Sequence, residues 1–338
     1  MSVRLPWLEG ARLAPSAHNT QPWRFVPLPD GRTLVRWDPE RSLPVSDPTA
    51  RDLYLALGAA VESARLRSIQ QDMPLRFSPA AENLDRSVGW LVPADLPPDP
   101  ADQRLAPYLH VRQTARTPHL PRPVPSDLLA ALAEEARHGG CQLYVLQDRA
   151  GIRRLAGLAR QATAAQFADA AVHAELWRWL RLDSRHPSYR RDGLTAECLE
   201  LRGPSLVAAR LVLPPTRMRW LVRVGAHHLL AVDTQRLVDR SASVCLLSAP
   251  SAARADLVRA GQVLLRLWLL AAAAGLRTHP VSALLDCVGT VGPAAAAFGA
   301  GGGAPAALFR LGATGPVARA PRLEPEELLE AECGPAHP

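Results

Sequence analysis

The amino-acid sequence predicts an α+β fold built from two similar halves, each an antiparallel-type sheet flanked by helices. Three observations carry this expectation. Residues 11–27 read as a helix end, a turn and an apolar strand, and residues 133–147 repeat that order. Residues 57–64 and 260–267 both open helices with small residues, continue with apolar residues at helical spacing, and run into strands at 73–77 and 275–281. Asp30-Gly31, between apolar stretches at 23–28 and 33–37, is the turn signal of an antiparallel hairpin.

Each element follows from local chemistry. Residues 5–13 end a helix, 23–28 form a strand, and 33–37 return beside it. Ser46-Asp47-Pro48 supplies a capping side chain and a first-turn proline for a long helix over 49–71. A strand follows near 87–92, and the proline-rich stretch 93–107 reads as a linker. Ser126-Asp127 begins a helix over 126–138, whose strand is 142–146, and 148–182 holds one or two further helices. Residues 243–248 form a strand leading into a core helix, 258–276, in which Arg259, Gln262 and Arg266 on nearby turns argue for packing and against a membrane span. The alanine- and glycine-rich segment 288–303 reads as a short helix and a flexible turn without a phosphate-loop pattern, and 306–312 is the closing strand. The predicted division is therefore residues 1–107 and residues 108–338, with an additional segment at about 168–213 in the second half.

With 338 residues, 48% of them hydrophobic, the chain can bury one large core or two small ones. Its net charge of +7 is carried by arginine and could attract nucleic acid or an anionic membrane. The arginines are spread along the whole chain with no recognition motif, so neither is expected as a partner. There is no twenty-residue apolar span, and Met1 to Trp7 lacks the apolar stretch of a signal peptide, which gives a cytoplasmic expectation. Five widely separated cysteines, Cys141, Cys198, Cys245, Cys287 and Cys333, fit neither a disulfide framework nor a zinc site. His18, His227 and His228 have no carboxylate or cysteine at ligand spacing, so no metal and no catalytic triad is expected.

The most informative run is Ala14-Pro15-Ser16-Ala17-His18-Asn19-Thr20-Gln21-Pro22-Trp23-Arg24-Phe25. Ser16, Asn19 and Gln21 are short, uncharged donors and acceptors, suited to a planar heterocycle that presents carbonyl oxygens and ring N–H groups. Pro15 and Pro22 stiffen the loop, so ordering it on binding costs little entropy. The same residues are also ordinary turn formers ahead of a strand. Further on, Arg112-Gln113-Thr114-Ala115-Arg116 places two guanidinium groups and a hydroxyl where they would suit a phosphate, or where they would form a solvated basic patch.

The run at 14–25 resembles the A-P-S-x-x-N-x-Q-P-W signature of the nitroreductase family of FMN enzymes, and residues 112–116 resemble that family's R-x-[ST]-x-R element. The resemblance implies the FMN-dependent nitroreductase fold, FMN as cofactor, and NAD(P)H with a small electron-accepting molecule as partners. It implies a cofactor site made of Pro15, Ser16, His18, Asn19 and Gln21 together with Arg112, Gln113, Thr114 and Arg116. The closing strand and Arg319-Ala320-Pro321-Arg322 resemble the family's R-L-G strand and late basic residues, which adds Arg322 as a phosphate ligand or leaves it as a surface arginine. Ordinary members are homodimers with the arginine element ahead of the A-P-S loop, each contributed by a different subunit to one site. Here the loop comes first, so the chain reads as two fused nitroreductase-like halves forming an intramolecular pseudo-dimer, with a single chain sufficient for one flavin site.

Residues 168–213 contain Glu175, Trp177, Trp179 and Arg191-Asp192-Gly193-Leu194, and resemble the lid of a single-chain, dormancy-associated branch of the family. By residue type alone, Trp177 and Glu175 would be packing and solvated face. Because a flavin carries its own redox chemistry, no catalytic side chain is expected. Two functions follow: an NAD(P)H-dependent oxidoreductase passing electrons to a nitroaromatic, quinone or similar acceptor, or a protein that stores FMN beneath its lid with little turnover. Oxidation of a peptide azoline is a third outcome, for which no recognition element is visible.

Overall fold

The computed structural model describes residues 5–81, 84–95 and 97–330; Cys333 lies outside them. The first half runs α1 (Leu8–Ala11), β1 (Trp23–Pro27), β2 (Thr33–Trp37), α2 (Arg51–Ile69), β3 (Leu75–Pro79), β4 (Ser87–Pro93) and α3 (Pro100–Leu105). Its strands form an antiparallel sheet in the order β1-β2-β4-β3. The second half begins with α4 (Ser126–His138) and β5 (Gln142–Leu146). An insertion follows: α5 (Arg149–Ala168), α6 (Ala170–Trp179), the two-residue strands β6 (Leu180–Arg181) and β7 (Leu194–Thr195), α7 (Gly203–Val212), α8 (Pro215–Arg223) and α9 (Ala226–Asp239). The half then resumes with β8 (Ser243–Ala249), α10 (Arg254–Ala273), β9 (Arg277–Pro280), α11 (Ala283–Asp286), α12 (Val288–Ala297) and β10 (Ala304–Gly312). Its antiparallel sheet has the order β5-β8-β10-β9. Strand for strand, and with α1 and α2 matched to α4 and α10, the two halves share one connectivity.

The halves meet where α2 packs along α10, and two glycines set the distance. A Cβ on Gly58 would lie 1.9 Å from the Val258 carbonyl oxygen, and one on Gly261 would lie 2.2 Å from the Leu55 carbonyl oxygen. These contacts are reciprocal, residue 58 standing to 258 as 261 stands to 55, so the backbones approach as two copies of one helix would. Around this crossing Arg266 pairs with Glu62 at 2.9 Å, and Arg65 with Asp102 at 2.6 Å, tying α2, α3 and α10 together in a buried network. In β8, Cys245 and Leu247 pack towards α4 and α10 while Val244 and Leu246 pack towards α5 and α11, so both faces of the second sheet are covered.

Several expectations are corrected. The stretch 93–107 is no linker, because it forms α3 with Leu105 and Ala106 buried and Asp102 in the ion-pair network. Helix α2 starts after Ala50, a left-handed residue with no side-chain cap; Asp47 instead accepts from the Leu53 N–H at 2.9 Å. Pro125, not Ser126, precedes α4 at its cap. The additional segment is longer than 168–213, since everything between β5 and β8 takes the place of the short hairpin turn between β1 and β2. Residues 321–330, counted with the second half, return to the first: Leu323 and Leu328 enter its core, and Glu330 N–H donates to the Phe25 carbonyl at 3.0 Å. Among the described residues no helix is long and apolar enough to cross a membrane.

Candidate functional site

The loop between α1 and β1 holds three non-glycine residues in the left-handed region, His18 (φ 49°), Asn19 (φ 57°) and Gln21 (φ 53°). Such a backbone costs on the order of 1–3 kcal/mol per residue and persists only where its surroundings fix it. Here three parts of the chain do so. Ser16 Oγ accepts from the Gln21 N–H at 2.9 Å. The Gln21 side chain accepts from Leu323 N–H at 2.9 Å and donates to the Arg191 carbonyl at 2.8 Å. Asn19 Nδ2 donates to the carbonyls of Pro321 (2.9 Å) and Gly193 (3.2 Å), while its Oδ1 accepts from Arg322 at 2.5 Å.

This loop forms part of the wall of a cavity of about 370 Å³, a volume suited to a cofactor. Pro15, Ser16, His18, Asn19, Arg112, Thr114, Arg116 and Arg322 all contribute to the wall. The structure thus brings together eight of the ten residues anticipated from sequence. The other two are corrections. Gln21 is fully buried and its amide is consumed by the tail and the insertion, so it builds the loop and does not face the cavity. Gln113 lines only a recess of about 50 Å³ beside the main cavity, which Arg112 and Thr114 line as well. The segment that carries them is laid against β9, with Thr114 bridged to Thr278.

Arg112, Arg116 and Arg322 also share the walls of the recess, so their guanidinium groups form one basic cluster. Among the described residues none of the three has a carboxylate in salt-bridge contact. Arg112 donates to the Leu13 carbonyl at 2.9 Å and leaves Nη1 buried and unpartnered; Arg322 leaves Nε in the same state. Burial pushes Arg112 down to about 9 and Arg322 down to about 10, and for Arg112 the proximity of Arg322 adds to the effect. Arg116 is lowered by burial too, and donates to the Cys198 carbonyl at 3.1 Å. Arg112 is buried and Arg116 and Arg322 are half-buried, and the unpartnered donors of Arg112 and Arg322, with no carboxylate in salt-bridge contact, suit an anion.

Other walls carry different chemistry. His18 is pushed down to about 4 by burial, so its imidazole is neutral. Asp47, Asp52 and Asp286 gather near Arg51, which pairs with Asp52 at 2.7 Å and Asp286 at 2.6 Å. One guanidinium cannot neutralise three carboxylates; burial and Asp52 push Asp286 up to about 8, and Asp47 rises to about 6 for the same two reasons. His279, on the cavity wall at the end of β9, accepts at Nδ1 from the buried Arg310 at 3.1 Å. Arginine has no acceptor, so the His279 proton is assigned to Nε2. None of Asp47, Asp52, Asp286 or His279 carried a sequence signal, since the wall draws on segments far apart in the chain. Among the described residues no cluster of His, Cys, Asp or Glu could hold a metal ion.

The insertion roofs the cavity with Phe167, Val172, Leu176 and Leu194. Glu175 is no solvated residue: it accepts from the N–H groups of Val45 (3.1 Å) and Ser46 (2.8 Å) and from the Ser46 hydroxyl (2.5 Å). Asp192 bridges Arg181 at 2.7 Å and Arg41 at 3.1 Å, and both guanidinium groups lie near the Trp179 ring, at 5.7 and 5.9 Å. Trp177 packs on the apolar cluster of Leu180, Leu182 and Leu194.

No family model matches the chain. Over 334 residues it is 28% identical to "Putative NAD(P)H nitroreductase Rv3131" of Mycobacterium tuberculosis, an alignment covering 95% of this chain and 91% of the relative. It is 26% identical over 300 residues to "Probable NAD(P)H nitroreductase PigM" of a Serratia species, covering 82% of this chain and 79% of that one. Among solved structures, the FMN-dependent nitroreductase NfnB from Mycobacterium smegmatis, in complex with NADPH, aligns with a TM-score of 0.40 and 21% identity over 67% of this chain and 96% of its own. Relatives carrying the nitroreductase name align along nearly the whole length, the A-P-S loop stands on the cavity wall, and the late arginine joins the R-x-T-x-R pair: the chain is similar along most of its length to proteins named as NAD(P)H nitroreductases.

Proposed function

We propose that the chain is an FMN-binding oxidoreductase that takes electrons from NAD(P)H and passes them to a nitroaromatic, quinone or similar acceptor. The observation that carries this is the cluster of Arg112, which is buried, with the half-buried Arg116 and Arg322, three guanidinium groups without a carboxylate in salt-bridge contact on the wall of a cofactor-sized cavity. A phosphate monoester supplies the missing countercharge, and the orphaned Nη1 of Arg112 and Nε of Arg322 give it donors. Thr114 adds a hydroxyl, and Ser16, His18 and Asn19 offer the polar edge against which a flavin ring would rest. Bound FMN would supply hydride acceptance and one- or two-electron donation. In this proposal residues 1–107 and 108–338 act as the two halves of a pseudo-dimer, the ring held mainly by the first and the phosphate mainly by the second. The matched connectivity of the two sheets and the reciprocal glycine contact of α2 and α10 support it. A nicotinamide reductant suits a cytoplasmic setting.

A second reading, storage of FMN with little turnover, is favoured by the latched insertion, since Glu175, Asp192 and Gly193 fasten the roof to the first half. One experiment separates them. The purified flavoprotein is mixed anaerobically with NADPH while its visible spectrum is followed. Bleaching within the turnover time supports the oxidoreductase, whereas flavin that stays oxidised refutes it in favour of storage.

A further inference from the structure

The insertion presents a surface of unusual composition on its outer side. Ten large hydrophobic residues of the described chain are strongly exposed, and five of them fall in this stretch: Val207 and Leu211 in α7, Trp220 in α8, Val224 just after it and Leu229 in α9. Trp220 is 68% exposed and Val224 78%. Val207 and Leu211 are four residues apart on α7, Trp220 and Val224 four residues apart at the end of α8, and Met218 is buried and anchors α8 to the fold. Arg217, Arg219 and Arg223 are interleaved with them and exposed, and no Asp or Glu occurs between Glu200 and Asp233. Among the described residues these three arginines have no carboxylate in salt-bridge contact, so their charges on this face are uncompensated. Arg223 stacks its guanidinium over the Trp220 ring at 4.5 Å.

We infer that this face of α7, α8 and α9 docks on the surface of an anionic lipid bilayer. The pattern matches what an interfacial contact needs: arginines that reach anionic headgroups, and an amphipathic tryptophan with short aliphatic neighbours that enter the acyl boundary. A second copy of the chain is disfavoured as occupant, because a self-complementary patch would bring these unpaired arginines against one another. Nucleic acid would satisfy the charges but would leave Val207, Leu211, Val224 and Leu229 in water. The scatter of arginines along the sequence argues against a membrane partner; the folding of α7 to α9 gathers some of them beside exposed apolar groups. The contact is peripheral, and the same insertion contributes Thr234 and Phe167 to the cavity wall.

The test uses the full chain with its flavin and sedimentation with large vesicles, either phosphatidylcholine alone or phosphatidylcholine with phosphatidylglycerol. Binding is expected only to the anionic vesicles and should weaken as salt is raised. Each arginine reaching the surface is worth roughly fivefold in partitioning, so the triple variant Arg217→Gln, Arg219→Gln, Arg223→Gln should lose about a hundredfold. Trp220→Ser, which keeps every charge, should also release the protein. All four positions are exposed, and retained flavin absorbance reports that the variants are folded. Equal binding to both vesicle types, or anionic binding untouched by both variants, overturns the inference. So does retention on random-sequence duplex DNA without vesicle binding, or a dimer in sedimentation that Trp220→Ser dissociates.

Discussion

Replacing Arg112 by methionine should make the cofactor-free protein more stable and weaken its hold on FMN. Without a phosphate, the Arg112 guanidinium is held at about 9 where a free arginine titrates at 12.5. At about 1.4 kcal/mol per tenfold step, keeping that buried charge costs the empty fold on the order of 4 kcal/mol. Methionine removes the charge and preserves the packing of the stem near Trp268, whose ring lies 5.9 Å from the guanidinium carbon. The variant forfeits the hydrogen bond to the Leu13 carbonyl, worth about 1 kcal/mol. A net gain of roughly 2–3 kcal/mol should remain, visible as a rise of a few degrees in the thermal midpoint of the apoprotein. In the holoprotein the same change removes a charge-assisted contact of about 1.5–3 kcal/mol, or one to two decades in FMN dissociation constant. Riboflavin, which lacks the phosphate, should lose little. Calorimetric melting of the apoprotein and fluorescence titration with both flavins check the two signs. An unchanged preference for FMN over riboflavin, together with an apoprotein no more stable than the parent, would refute the anion-site assignment.

Three further outcomes are expected. Gly58→Ala puts a methyl group 1.9 Å from a backbone oxygen of the other half, so chemical denaturation should show a loss of about 1–3 kcal/mol or more, and Gly261→Ala should match it; a neutral result in either would mean that α2 and α10 are free to separate. The Asp286 carboxyl, with a folded pKa of about 8 against about 3.8 unfolded, keeps a proton that the unfolded chain releases, so it costs stability as pH rises from about 4 to about 8. Asp286→Asn should flatten that fall by up to about 1.4 kcal/mol per pH unit in urea titrations of the apoprotein, and parallel slopes for both proteins would contradict the assignment. Glu175→Gln keeps the shape of the roof latch but weakens its three accepted hydrogen bonds, so FMN release, followed by recovery of flavin fluorescence on dilution, should quicken about tenfold; an unaltered rate would show that the roof does not limit exchange.

The parts of the fold legible in the sequence are those that depend on neighbours along the chain. Apolar periodicity located α2 and α10, Asp30-Gly31 located the first hairpin, and the small residues that align Gly58 with Gly261 marked matching helices, though not that these helices touch. What stayed hidden depends on partners brought in from a distance. Proline in the stretch 93–107 favours extended chain as readily as the first turn of a helix, and it was the pairing of Asp102 with Arg65 and Arg266 that fixed α3. Glu175 looks like any exposed acid on an amphipathic helix until the turn at Val45 and Ser46 supplies its donors. Gln21 was legible as important and misjudged in role, because an amide that could meet a heterocycle meets the equally suitable backbone groups of Leu323 and Arg191.

That misjudgement bears on how the site works. Three left-handed residues in one short loop would relax in isolation, and the groups that hold them come from residues 191–193 of the insertion and 321–323 of the tail. The loop conformation therefore draws part of its stability from both segments. Arg322 belongs to the same linkage: it donates to Asn19 Oδ1 and stands in the basic cluster, so an anion that draws on Arg322 also acts on the loop beside the ring position. If the cluster holds a phosphate as proposed, the Arg322–Asn19 hydrogen bond links that anion to the loop, and any coupling between them is reciprocal, each stabilising the other by the same free energy. On the proposed pseudo-dimer, the loop, the arginines and the roof lie in one polypeptide, so this linkage would not depend on subunit concentration, as it would in a homodimer that assembled the same site from two chains.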